Sequence, residues 1–123
     1  MKNMLKKLQK TIAACGIPCA REGAPLGGTL PCLRWRLDMT SPTDGTVTII
    51  CWYREDDTGL LDMLDTLAGL FPAGGRQLTF GGGQLLWLRP AAVDCVADET
   101  DPAIHGGRMR LTLHTWPGLE VTV

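Results

Sequence analysis

The chain is short of the side chains that do chemistry. It has two histidines, one tyrosine and two phenylalanines in 123 residues. It lacks Gly-x-Ser-x-Gly, His-Glu-x-x-His and calcium-loop patterns. Gly74-Gly75 and Gly81-Gly82-Gly83 are not a phosphate loop, because no Gly-Lys-Ser/Thr or helix start follows them. No run approaches 18 apolar residues, which excludes a membrane-spanning helix. Twelve basic against thirteen acidic residues leave a net charge of -1, so no strong field draws in nucleic acid or an anionic membrane. A local basic patch remains compatible with that balance. Ile12-Ala13-Ala14-Cys15 mimics a lipoprotein cleavage site, but Lys6, Lys7, Gln9 and Lys10 interrupt the apolar run such a signal needs. Lipidation is not expected.

The five cysteines are an odd count without a signal peptide, which predicts reduced thiols in a cytoplasmic setting. Cys32, Cys51 and Cys95 sit in apolar runs, where cysteine packs as a small hydrophobe. Cys15 and Cys19 form the only close pair. A zinc site needs a second ligand pair nearby, and His105 and His114 are isolated from it and from each other. Cys19 lies beside a proline loop, away from the strand-to-helix junction that lowers a thiol pKa in redox folds. No metal and no cofactor are expected. Asp56, Asp57, Asp62 and Asp65 lie at a helix start and along its wet face, where they cap and solvate. Nothing assembles a nucleophile, a base and an orienting group, so the expectation is a protein that is not an enzyme.

What the chain does have is turns and periodic apolar segments. Fifteen glycines and eight prolines, with 45% hydrophobic and 20% charged residues, suit one sheet-rich domain spanning 1–123. Met4, Leu5, Leu8, Ile12 and Cys15 predict a helix over 3–15, ended by Gly16 and Pro18. Leu60, Leu61, Leu64, Leu67, Ala68 and Phe71 make one face of a second helix, stopped by Pro72. Residues 16–31 hold too much proline and glycine to keep regular structure for long. Strands are predicted over 32–39 and 46–53, joined by the turn Ser41–Gly45. Three more are predicted over 76–80, 84–96 and 108–116. The order α-β-β-α-β-β-β predicts an α+β fold: two helices on one face of a mostly antiparallel sheet of about four to five strands.

Binding residues stand out more than reactive ones. Arg34 and Arg36 project from one strand and Arg108 and Arg110 from another, with Trp35, Trp52, Trp87 and Trp116 spread over the sheet. Arginine and tryptophan anchor protein interfaces. Alternation sets Trp52, Ile50 and Thr48 opposite Ile49, Cys51 and Tyr53, so both faces of that strand are apolar. Either the sheet curls on itself or a neighbouring subunit covers the second face. The 16–31 loop, the acidic 97–107 loop with His105, and the apolar tail with Leu119 and Val121 complete the candidates. That tail is strand-like and suits a neighbour's sheet edge.

The element order carries a resemblance. A lysine-bearing helix and proline loop lead to a hairpin ending Thr46-Val47-Thr48-Ile49-Ile50-Cys51-Trp52-Tyr53-Arg54. A Leu-Leu-x-x-Leu-x-x-Leu-Ala helix follows, then strands closing with Arg108-Met109-Arg110-Leu111-Thr112-Leu113. Over nearly its whole length this resembles the small tail-terminator and tail-completion proteins of long-tailed bacteriophages, including prophage minor tail proteins. The resemblance implies a structural subunit, a homo-oligomer forming a hexameric ring that caps the tail tube. Its partners would be the tail-tube protein and the head–neck connector, with no small-molecule substrate, specific nucleic acid or membrane. It would act in the virion at the tail–head junction, after assembly from the host cytoplasm. The family carries no residue signature, and the cysteine count departs from it and leaves a thiol role open. The alternatives are an adaptor or chaperone-like binding module from a mobile element, and a metal or redox protein using Cys15 and Cys19.

Overall fold

Met4, Leu8 and Ile12 recur at helical spacing, and they are buried in helix α1 (Lys2–Ala13) together with Thr11. In this computed structural model the described residues are 2–23, 30–54, 57–81, 83–97 and 100–116. Lys10 sits in the last turn of α1, where a cation suits the negative end of the helix dipole. Gly16 follows at φ 82°, a conformation open to glycine at little cost.

Proline and glycine content predicts no long regular element over 16–31, and within it Cys19–Arg21 forms the three-residue strand β1. It lies parallel to β2 (Cys32–Met39), with Cys19 opposite Leu33 and Arg21 opposite Trp35. Its bonds come from across the chain: Leu33 N donates to Pro18 O at 2.8 Å, and Glu22 N to Trp35 O at 2.7 Å. No local pattern records such partners. A relay fastens the strand from the other side. The Trp35 indole Nε1 donates to Gln9 Oε1 at 2.6 Å, and Gln9 Nε2 donates to the Cys19 carbonyl at 2.9 Å.

Strand β3 (Asp44–Arg54) returns antiparallel to β2, and helix α2 (Asp57–Leu70) follows. The buried line of α2 is Met63, Leu67 and then Phe71 just past its end, while Leu61 is 59% exposed and Ala68 lies open. Of the stripe expected on Leu60, Leu61, Leu64, Leu67, Ala68 and Phe71, Leu64, Leu67 and Phe71 pack inward with Met63, Leu61 and Ala68 do not, and the side chain of Leu60 lies outside the described residues. Strand β4 (Arg76–Phe80) pairs with β5 (Gln84–Ala97), and β5 with β6 (Ile104–Trp116). Strand β6 begins at Ile104, so His105, Gly106 and Gly107 are strand residues and not the loop that their glycines suggest.

The sheet order is β1-β2-β3-β6-β5-β4. This corrects the expected sheet of four to five strands: it has six, is mixed because β1 runs parallel, and curls into a half-barrel. Helix α1 touches both β1 and β4, the two outermost strands, while α2 lies against β3 and β6. A flat six-stranded sheet would hold its edges some 24 Å apart at roughly 4.8 Å per strand. One helix reaches both because right-handed twist and a bulge between Pro90 and Ala92 bend the sheet round it. The concave side holds the core: Leu33, Trp35, Val47, Ile49, Leu86, Leu88, Leu111 and Leu113 close on Leu8, Ile12, Leu67 and Phe71. Each such side chain contributes about 1.5–3 kcal/mol relative to exposure.

Candidate functional site

Opposite the helices, the pairing registers align side chains in rows across the convex face. Arg34, Ile50, Arg108 and Asp94 share one row, and Arg36, Thr48, Arg110 and Ala92 the next. Cys32, Trp52, Gly106 and Val96 flank these on one side. Asp44, His114 and Trp87 lie toward the other end, with Trp116 beyond them opposite Leu85. The structure thus gathers Arg34, Arg36, Trp52, Arg108, Arg110 and Trp116 on one surface. It does not place Trp35 there. That side chain is 1% exposed and belongs to the concave core. His105, paired with Tyr53, is half-buried in the row set that faces the helices.

The charges on this face are held by their neighbours. Arg108 donates to Asp94 in a bidentate pair, Nε to Oδ1 at 2.9 Å and Nη2 to Oδ2. That hydrogen bond holds the Asp94 carboxyl below its ordinary pKa. Arg36 meets Asp38 at 2.8 Å and Glu22 at 3.6 Å. His114 Nδ1 lies 2.7 Å from Asp44 Oδ1, and its ring stacks edge-on against Trp116 at 4.5 Å. The bonds from His114 and Thr43 lower the Asp44 pKa. Thr48 lies there as the alternation of its strand predicts, whereas Asp94 and Glu22 were not legible as part of this surface: cross-strand register brings Asp94 beside Arg108, and an ion pair ties Glu22 to Arg36.

Trp52 is placed by a glycine. A Cβ on Gly106 would lie 2.7 Å from Trp52 Cζ3 and 2.9 Å from the Val96 carbonyl, so only glycine lets the indole lie over that strand. A groove of about 310 Å³ beside it has Arg34, Arg36, Thr48, Ile50, Trp52 and Glu22 in its walls. Arginine and aromatic groups around an apolar floor are the composition of a protein-binding surface.

Other candidates fall elsewhere. From the 16–31 stretch, Arg21, Glu22 and Gly23 border a hollow of about 690 Å³ with Leu5, Leu37 and Met39; residues 24–29 lie outside the described residues. In the acidic stretch, Asp101 accepts from Arg54 at 2.9 Å and from the Ala103 backbone at 3.0 Å. Leu119 and Val121 also lie outside the described residues.

The cysteines converge more than their spacing suggests. Cys19, Leu33 and Cys51 share a row, and Cys15 and Cys32 lie within electrostatic reach of Cys51. Burial first, then the neighbouring thiols, pushes Cys19 and Cys51 up to about 12. A nucleophile or metal ligand needs the opposite shift. Among the described residues no three His, Cys, Asp or Glu side chains are arranged to hold a metal ion. Cys95, expected to pack as a hydrophobe, is exposed.

No helix among the described residues is long and apolar enough to cross a membrane. No family model matches the chain. No curated protein matches it either. Several solved chains are similar in fold, and one of them superimposes over 97% of this chain and 94% of its own, with a TM-score of 0.66 and 17% identity. At that identity the likeness is one of fold.

Proposed function

We propose that this chain is a structural, non-catalytic assembly subunit of the tail-terminator or head–tail joining type. Copies form a ring that closes the end of a phage tail tube and meets the head–neck connector. The observation that carries this reading is the convex sheet face. Helices and core occupy the concave side, while the other side carries Arg34, Arg36, Arg108 and Arg110, with Ile50, Trp52 and Trp87 half-buried and Trp116 45% exposed toward one end. Ion pairs already hold Arg36 and Arg108 in place, so little side-chain order is lost when a partner docks. The likeness in element order to tail-completion proteins supplies the biological setting: the host cytoplasm before assembly, the virion afterwards.

Native mass spectrometry of the purified chain, alone and with tail-tube protein, tests the reading. The expected result is a ring-sized oligomer, either free or formed on tubes whose further growth then stops. A monomer that ignores tail-tube protein overturns it. A one-to-one complex with a single partner outside the tail favours an adaptor instead.

A further inference from the structure

Between helix α1 and the edge strand β1 the surface is hollow. Two depressions of about 520 and 690 Å³ adjoin there, with Leu5 and Arg21 in the walls of both. Leu5, Ala13, Ala20 and Trp35 give the first an apolar floor, and Leu37 and Met39 continue it into the second. Helical spacing builds the near wall. Leu5, Gln9 and Ala13 recur at i, i+4 and i+8 along one side of α1. Lys6 and Lys10 each follow a member of that stripe by one residue, which turns them about 100° further outward. They stand exposed on the rim, and exposed Arg21 faces them from β1.

These cations are unanswered. Among the described residues Lys6, Lys10 and Arg21 have no acidic partner, whereas Arg36 on the far wall is held by Glu22 and Asp38. An apolar groove under three free positive charges fits an occupant that is apolar and acidic, because complementary charge sets which surface docks and in what orientation.

The chain carries such a surface on α2. Leu61, 59% exposed, and Ala68, also exposed, lie at i and i+7 on one side of that helix, with half-buried Leu64 between them. Exposed Asp62 and Asp65 run alongside, and neither has a basic partner among the described residues. The two carboxylates are spaced about 4.5 Å along their helix axis and the two lysines about 6 Å along theirs, so one pair matches the other. None of these α2 residues lines the groove of its own chain.

We propose that the outer face of α2 in one copy seats in the α1–β1 groove of the next. Leu61 and Ala68 then meet Leu5, Ala13 and Ala20, and Asp62 and Asp65 face Lys6, Lys10 and Arg21. The apolar contact supplies most of the affinity, since exposed ion pairs contribute little each. Groove and helix face share no residue, so the contact is heterologous and propagates into a closed ring or an open chain. The convex sheet face stays free for the tail tube and the connector. The inference rests on the reading of this protein as a self-assembling subunit.

The test uses the full chain, with tail-tube protein present if rings form only on tubes. Lys6→Glu/Lys10→Glu and, separately, Asp62→Lys/Asp65→Lys set like charges against each other. Each should raise the protein concentration at half-assembly by at least about tenfold, with an unchanged circular dichroism spectrum because all four side chains are exposed. An equimolar mixture of the two variants should assemble again, since each altered surface finds its complement on the other variant. A variant that assembles like wild type, or a mixture that does not recover, overturns the contact and leaves the ring standing. Loss of tube binding in Lys6→Glu/Lys10→Glu with self-assembly intact assigns the groove to tail-tube protein and also overturns it. A closed dimer that obeys the charge swap supports the contact and overturns the ring. Monomers that ignore tail-tube protein overturn both readings.

Discussion

Gln9 is the residue whose removal tests the tertiary account most directly. Its amide ties α1 to both β1 and β2: it accepts from the Trp35 indole at 2.6 Å and donates to the Cys19 carbonyl at 2.9 Å. Gln9→Ala deletes two hydrogen bonds, each worth about 1 kcal/mol net. It also strands an indole N–H on a tryptophan that is 1% exposed, and an unpaired buried donor costs about 1–3 kcal/mol. These overlap, since the stranded donor belongs to one of the two bonds, so the expected loss is about 2–3 kcal/mol. At this chain length that lowers the thermal midpoint by roughly 6–12 °C. Gln9→Glu keeps the acceptor for Trp35 and loses the donor for Cys19, so it should fall between wild type and Gln9→Ala. Urea unfolding followed by circular dichroism, with tryptophan fluorescence as a second probe, gives both values. A Gln9→Ala protein within 0.5 kcal/mol of wild type, about the scatter of ordinary surface substitutions, would refute the relay as the fastening of β1.

Other outcomes follow from single features. Gly106→Ala brings a Cβ to 2.7 Å from the Trp52 ring and 2.9 Å from backbone, so it should cost about 1–3 kcal/mol and shift tryptophan emission; a neutral result would mean that Trp52 does not lie over that strand. Alkylation with iodoacetamide at pH 8, read by peptide mass, should modify exposed Cys95 first and Cys51 last, because burial pushes the Cys51 thiol up to about 12; comparable rates would contradict that burial. Asp44 and Asp94 both have folded pKa values below the ordinary 3.8, so the unfolded chain binds more protons across that window. Their contribution is fully present above about pH 4 and disappears as pH falls through the lowered values. Urea midpoints between pH 5 and pH 2.5 should therefore decline, and Asp94→Asn should flatten the decline; an unchanged acid limb would exclude the Arg108 pair as its source.

The proposed surface was legible only in part. Strict alternation in Arg34–Met39 and Arg108–Leu113 marks two arginine-bearing faces, and the turn residues between strands set most element limits. Alternation also put Trp35 opposite Arg34 and Arg36, which is where the structure buries it, although tryptophan chemistry alone suggests an interface. The cysteine row and the Asp94–Arg108 pair were not legible. They join residues tens of positions apart, through strand neighbours that no spacing records.

By itself the sequence determined what short-range physics controls: the run of α1 from apolar spacing, the five-residue β4 between glycine turns, and the two-sided character of β3. Only the tertiary structure decided which strands meet. The three-residue β1 exists because β2 and Gln9 supply its hydrogen bonds. The curl, set by strand twist and the bulge between Pro90 and Ala92, lets one helix touch both outermost strands. Among the described residues, the open edge of β5 exists because β4 begins only at Arg76, opposite Leu88. Each of these is a relation between distant segments, whose free energy appears only when the chain closes on itself.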